Sequence, residues 1–458
     1  LFPPLSAPRL RAAEVLAAIG LIAAGATVSL LRTAGPGALN TTWIEDANNF
    51  LQDALHQSVL TTLTTQMNGY YDVVPRIITA IAVVFPLSWA PGIMSAFAAV
   101  GYALFGLIAY IASGPFLRSP WLRLLIAAPA CVVPLGYTQA NDDLATVQFI
   151  ALYGMFWLLL WRPATRAGQV AAPLLMLGTT LSSILPALLL PLLAARLIAN
   201  RTRTSVAVAV CWAAGIAAQA SVQLRGLSNR HDHYTSPLWA LGQYFTHVIP
   251  RALFGELALG GPGTNGEGHP LPLNLPNVAL HDALVWGACA IVVLVVVLAL
   301  AGRTAPTWSL ALTALFFSVV LFLGEIVDNL SIVQPRYVIA PALLLYTAIV
   351  AMLRPRGEAG TASASGRPDG EPAADDASAT AAPWRLRPAA AAWVPVTVFA
   401  LLLAVVVGFN FRVTNNRSES PPWTSVVAAA TQTCQKPGMV DYLYRHAWWR
   451  VQVPCSRV

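Results

Sequence analysis

AGQVAAPLLMLGTTLSSILPALLLPLLAA, residues 167–195, carries no charge from end to end, and the number of times it crosses a bilayer decides the parity of every later segment. A hydrocarbon core takes about 20 apolar residues per helix, so the run is long for one span and short for two. Ser182, Ser183 and Pro186 interrupt it. A single span would set Arg196, Arg201 and Arg203 on the side opposite Arg162 and Arg166. Two short helices hinged near Ser183 keep both clusters on one face, as the arginine excess of cytoplasmic loops requires. We read two helices.

The second decisive run is 77–113, again without charge and broken by Pro86 and Pro91. Proline removes a helix donor and clashes with the preceding turn. If both halves spanned, Arg118 and Arg123 would lie outside. With 74–88 lying along the outer surface and 92–113 spanning, they fall inside. We read the second arrangement.

Around these runs lie nine plainer spans, roughly 13–31, 92–113, 122–138, 144–161, 204–222, 283–302, 307–324, 338–353 and 389–409. The whole reads as an all-α polytopic membrane protein of about 11 transmembrane helices, with outer-surface helices in the first extracytoplasmic loop. The N-terminus is expected in the cytoplasm and the C-terminus outside a plasma membrane. Inside lie 15 Arg against six acids, and outside 12 basic residues against 14 acids, or +9 and −2 of the net +7.

Composition agrees. Of 458 residues 57% are hydrophobic and only 10% charged, where a soluble chain carries about 25% charge. That excludes a soluble enzyme, a coiled coil, a disordered protein and a nucleic-acid binder. Arg9 and Arg11 precede the first apolar run, which has no small-residue cleavage site and reads as a retained helix. The core is 1–353, with a first outer loop at about 33–91 and a second at about 223–282. Segment 354–388, rich in Gly, Ala, Ser, Pro and Asp, reads as a disordered cytoplasmic linker to the last helix, 389–409. The tail, 410–458, is small and extracytoplasmic. Its Cys434 and Cys455 fall where disulfides persist and are expected to be bonded, whereas Cys131, Cys211 and Cys289 sit in apolar spans as inert thiols.

Charge away from the cytoplasmic rim is expensive in a membrane protein and therefore informative. The first outer loop, NTTWIEDANNFLQDALHQSVLTTLTTQMNGYYDVVPR from Asn40, brings Glu45 and Asp46 to the start of an amphipathic helix carrying Phe50, Leu51, Leu55 and Val59. That helix should lie on the membrane surface. Adjacent acids there also suit plain N-terminal capping. A second polar group, Asn141, Asp142 and Asp143, occupies another outer loop, with helix capping again the plain alternative. Arg336, beside Tyr337, stands at the outer mouth of an apolar helix, against the charge rule. A phosphate is its natural partner, since guanidinium binds phosphate bidentately. Arg76, after Tyr70, Tyr71 and Asp72, is a second candidate of that kind. In the loop 223–282, His231, Asp232, His233, His247 and Arg251 accompany a glycine-rich stretch at 260–268. His-x-His with an acid suits a metal, but no further ligand is fixed by spacing.

An inner N-terminus, one helix, a long outer loop opening on Trp43-Ile44-Glu45-Asp46, short middle helices and Arg336-Tyr337 at an outer helix mouth together resemble the GT-C superfamily of integral-membrane glycosyltransferases. That superfamily includes protein mannosyltransferases, lipid A aminoarabinose transferases and actinobacterial arabinosyl- and mannosyltransferases. The resemblance covers the span order to about residue 350. It implies transfer of a sugar from a polyprenyl monophosphate to a hydroxyl of a cell-envelope glycan, lipid or protein outside the cytoplasm, usually with inversion. Asp46 or Glu45 would be the base; the pair here reads Glu-Asp where protein mannosyltransferases have Asp-Glu, so both stay open. Arg336, with Arg76 and Tyr337, would hold the donor phosphate, and Asn141, Asp142 and Asp143 would bind acceptor or sugar hydroxyls. No metal and no cofactor are expected, because arginines neutralise a monophosphate leaving group. The partners are donor, acceptor and membrane lipid, with no nucleic acid.

A transporter or lipid flippase is the competing class. It calls for polar groups near span centres, and the acids here fall at outer ends instead. A structural subunit of envelope assembly would leave Glu45, Asp46 and Arg336 free to vary.

Overall fold

The computed structural model describes residues 12–67, 69–136, 142–225, 236–259, 278–327, 333–356, 391–447 and 449–458. Among them the protein is mostly helical, and six helices are long and apolar enough to cross a membrane: Ala12–Leu30, Leu87–Ala112, Arg203–Leu224, Leu280–Leu300, Trp308–Val327 and Pro335–Met352. Five shorter apolar helices accompany them. Leu16, Ile19, Val210, Val293 and Leu312 are more than half exposed on the long helices, a pattern stable only where the surrounding solvent is hydrocarbon.

In chain order the principal helices are α1 (Ala12–Leu30), α2 (Val73–Ala82), α3 (Ala90–Ala112), α4 (Val147–Leu160), α5 (Arg166–Thr180), α6 (Arg203–Leu224), α7 (Val278–Leu300), α8 (Trp308–Val327), α9 (Ile339–Met352), α10 (Val394–Phe409) and α11 (Trp423–Cys434). At the centre is α9, in which every residue is buried. Ala340, Ala342, Ala348 and Ala351 let neighbouring backbones come close, and Tyr346 donates to the Ala252 carbonyl at 2.6 Å. Helix α9 packs on α8 and α4, α4 on α3, and α3 on α1. Gly154 of α4 lies where a Cβ would run into the Phe105 ring of α3, so that crossing needs glycine.

The hinge expected near Ser183 is present. Helix α5 ends at Thr180, residues 181–184 leave the helix, and a 3₁₀ turn, Leu185–Leu189, leads into Leu190–Ala199. Likewise α2 stops before Pro86 and α3 begins at Ala90.

Four expectations are corrected. The span at 122–138 is broken into Pro120–Ala127 and Pro129–Val132, because Pro129 and Pro134 deny the helix its donors. The span at 144–161 begins only at Val147, since 142–146 turn around a carboxylate described below. The loop 223–282 contains helices Pro237–Gln243 and Ile249–Ala258, joined by a π turn at Tyr244–Val248, with Tyr244, Val248, Ile249 and Leu253 in the main core. Gly255, at φ 79° where only glycine is relaxed, kinks the second of these. Finally, the amphipathic face of the first loop is not laid on lipid. Phe50, Leu51 and Leu55 are buried in protein, and Val59 belongs to a separate helix started by Ser58, whose hydroxyl accepts from Thr61 N–H.

What covers that face is the tail. Residues 410–458 form α11 and the antiparallel hairpin β3 (Asp441–Arg445) and β4 (Arg450–Pro454); β1 (Gln66–Met67) and β2 (Tyr70–Tyr71) form a smaller pair in the first loop. Trp423, Val426, Trp449, Val451 and Val453 share one apolar cluster with Ala47, Phe50 and Leu51. The backbone N–H groups of Arg450 and Gln452 donate to the side chains of Asn48 and Gln52, both at 2.7 Å. Cys434 and Cys455 are disulfide-bonded, tying the end of α11 to the end of the hairpin. Most of the linker at 354–388 lies outside the described residues, as do His231, Asp232, His233 and the stretch 260–268.

Candidate functional site

One end of the helices collects the acids. Asp46 opens a π turn, Asp46–Leu51, and is 2% exposed. Its carboxylate accepts the N–H of Leu144 at 3.1 Å and of Ala145 at 3.2 Å, at the N-terminal end of α4, where the helix dipole favours an anion. Burial pushes its carboxyl up to about 7. Those amides and Arg417 pull the other way, and Glu45 adds to the rise.

Asp143 accepts the N–H of Thr146 at 2.9 Å and so caps α4. Burial, then repulsion from Asp46 and Glu45, holds it well above the usual carboxylate range. Two buried carboxyls that repel one another cannot both ionise readily. With two amides against one, Asp46 is the member that ionises first and Asp143 the one that keeps the proton.

Glu45 faces outward from the same turn and meets Arg336 at 3.1 Å, both side chains about one-fifth exposed. Arg336 lies in the 3₁₀ turn Pro335–Val338 that leads into α9, with its guanidinium 5.5 Å from the Tyr337 ring. Tyr337 itself is buried against Phe149. Two of the expected site residues, Glu45 and Arg336, therefore meet, from positions 291 residues apart.

The other expected residues are distributed differently. Arg76 is 1% exposed and is bound to Asp53 at 2.7 Å, clamping α2 to the first-loop helix, so its charge is already engaged. The side chain of Asp142 accepts from Ser29 at 2.5 Å, facing the end of α1. Its backbone is left-handed at φ 52°. Asn141 lies outside the described residues.

Two residues escaped the sequence reading. Arg417, in the tail, is 2% exposed and donates to the carbonyls of Ala38, Thr41 and Asp142 and to Ser95 Oγ at 2.6–3.1 Å. It thereby fastens the first loop, the Asp142 turn and α3 together. The rule that singled out Arg336, an arginine on the wrong side for its charge, would have found it. Asp72 is the other. It is buried at the start of α2, held well above the usual range by burial against the pull of Arg76.

Asp72 also lines a cavity of about 300 Å³ with Gln148, Thr179 and Ser182; the remaining walls are apolar, Ile78, Val100, Leu104 and Leu174 among them. Phe97, Val100 and Leu174 are 41–60% exposed, so the cavity opens on an exposed apolar surface of the helices. Four buried carboxylate oxygens, Glu45 Oε2, Asp72 Oδ2, Asp142 Oδ2 and Asp143 Oδ2, have no hydrogen-bond partner among the described residues. Natively, buried polar atoms left over in this way are rare. Among the described residues no group of three or more His, Cys, Asp or Glu side chains is arranged to hold a metal ion.

No protein-family model matches the chain, and no curated protein or solved structure matches it either.

Proposed function

We propose that the chain is a membrane glycosyltransferase, transferring a hexosyl or pentosyl group from a polyprenyl monophosphate to an acceptor hydroxyl with inversion. The acid-rich end faces the outside of the plasma membrane, with the N-terminus in the cytoplasm. The observation that carries this reading is the convergence of an acid–arginine pair, Glu45 with Arg336, and a buried carboxyl pair, Asp46 with Asp143, beside a lipid-open groove that ends in Asp72. A polyprenyl chain needs such a groove, its phosphate needs a cation, and an attacking hydroxyl needs a base.

In the proposed reaction the acceptor oxygen attacks the anomeric carbon while the bond from that carbon to the phosphate oxygen breaks. The hydroxyl proton goes to Asp46, and the phosphate departs with the bonding pair toward Arg336. Asp143, keeping its proton, leaves Asp46 the ionised member of the pair and so the one free to take the hydroxyl proton. Before the donor arrives Glu45 holds Arg336 in position; once it is bound, Asp72 hydrogen-bonds a sugar hydroxyl.

The test is a reconstituted transfer assay with a polyprenyl-phosphate sugar, run on Asp46→Asn, Glu45→Gln and Asp72→Asn. Loss of transfer with donor binding intact in Asp46→Asn supports the assignment. The same pattern in Glu45→Gln alone moves the base one residue. Full transfer in all three, and in Arg336→Ala, would overturn the reading and leave the transporter class to be tested by flux.

A further inference from the structure

The tip of the β3–β4 hairpin holds a pair that is unfavourable by itself. Arg445 and Arg450 are direct cross-strand partners in the register, and like charges directly opposite one another destabilise a ladder. Neither guanidinium has a hydrogen bond or ion pair among the described residues. The turn between them is closed by His446 N–H donating to the Trp449 carbonyl at 2.8 Å.

Between these groups and the first-loop helix lies a cavity of about 400 Å³ lined by Asn48, Arg445, His446, Ala447, Trp449 and Arg450. Every polar side chain in that lining can donate a hydrogen bond and none is an acid. Asn48 has already spent its oxygen on Arg450 N–H, which leaves its Nδ2 for something else. His446 Nδ1 is buried with no partner among the described residues. Glu419 acts on His446 electrostatically but does not line the cavity.

We propose that this hairpin tip is an oxyanion site that takes a phosphate group, bridged by Arg445 and Arg450 and seated against Asn48 and His446. Guanidinium geometry suits phosphate oxygens, and an anion between the two arginines turns a repulsive pair into an attractive one. The phosphate belongs either to a phospholipid headgroup or to a soluble phosphorylated molecule. The site is separate from the Glu45–Arg336 pair and does not depend on the transfer reaction.

The full chain in an uncharged detergent is titrated calorimetrically with inorganic phosphate at constant ionic strength, sodium chloride making up the balance. Saturable binding is expected, weakened at least about 10-fold in Arg445→Gln and in Arg450→Gln, since each loses a charge-assisted bond. In phosphate-free buffer neither variant should unfold at a lower temperature than wild type, because each relieves the like-charge contact. Equal phosphate binding in wild type and both variants, or no saturable binding in the uncharged detergent, overturns the proposal. Nanodiscs then identify the source. If discs of phosphatidylcholine or phosphatidylglycerol abolish the titratable phosphate binding seen in detergent, a headgroup fills the site; equal titration in detergent and in both discs assigns it to a soluble ligand.

Discussion

The two ends of the helical bundle use charge in opposite ways. At one end arginines finish helices: Arg196 donates to the carbonyls of Leu158, Leu159 and Trp161 at 2.8–3.0 Å, Arg354 to that of Ala305 at 2.7 Å, and Arg123 to that of Tyr110 at 2.8 Å. Helices α3, α4 and α9 run toward this end, so their negative dipole poles and unpaired carbonyls meet cations. At the other end the same three helices begin. The positive poles of α4 and α9 meet Asp46, Asp143 and the Glu45–Arg336 pair, and there carboxylate oxygens are left over. One end spends its charge on closing the structure; the other keeps polar capacity in reserve for something that binds.

That contrast is testable by asking what each end loses when a charge is removed. The largest effect is expected at Asp46. Asp46→Asn should lower transfer about 10²–10⁴-fold at a cost of no more than about 1–3 kcal/mol in stability, as one of the two amides loses its acceptor while a buried charge is removed. A variant that is instead destabilised and fully active would erase the distinction between the ends. Arg336→Ala comes next, with donor affinity falling about 10- to 100-fold as a charge-assisted contact to phosphate is lost, read by donor titration in the reconstituted protein.

Arg196→Met probes the opposite end. Three carbonyls lose their donor, at a cost of about 1–3 kcal/mol in stability, while the per-molecule transfer rate of folded protein stays at wild type. A comparable loss of rate would mean that the two ends are not independent.

The smallest effect sharpens the contrast through pH. The Asp46 carboxyl is raised from its ordinary 3.8 to about 7, so its protonated form is the one that folding favours. Its stabilisation is complete below about pH 4 and is lost as pH rises through 7. Transfer should rise over the same window as the base ionises. Stability and rate should therefore move oppositely between pH 5 and 8; Asp46→Asn should remove the rise in rate and make the fall in stability shallower, with Asp143 and Asp72 keeping their share, whereas Arg196→Met keeps both slopes.

How far the sequence could be read follows from the range of the interactions involved. Charge-free runs and prolines are local, and they located the Ser183 hinge and the break between α2 and α3. The same local logic reads 223–282 as one loop on the strength of polar residues such as His247 and Arg251; both lie in helical turns, with Arg251 buried. Glu45 and Arg336 were legible as oddities of charge, but their meeting was not, since it depends on the packing of α9 beside the first loop. Arg76 looked available because its partner, Asp53, comes from a different helix. The tail hid most, having seemed too small for a core: Trp423, Trp449 and Val451 acquire theirs from Phe50 and Leu51.

That docking sets a timetable for the making of the protein. Arg417 and the Ala38 carbonyl it grips are 379 positions apart in the chain, so the segments around Asp46 and Asp142 enter the bilayer without the residue that fastens them. A nascent chain halted after α10 has all its principal membrane helices and an unfinished mouth. Completion waits for the last stretch to be made and for Cys434 to meet Cys455. The acid-rich end is thus fastened last, and a chain that stops before Arg417 leaves it open.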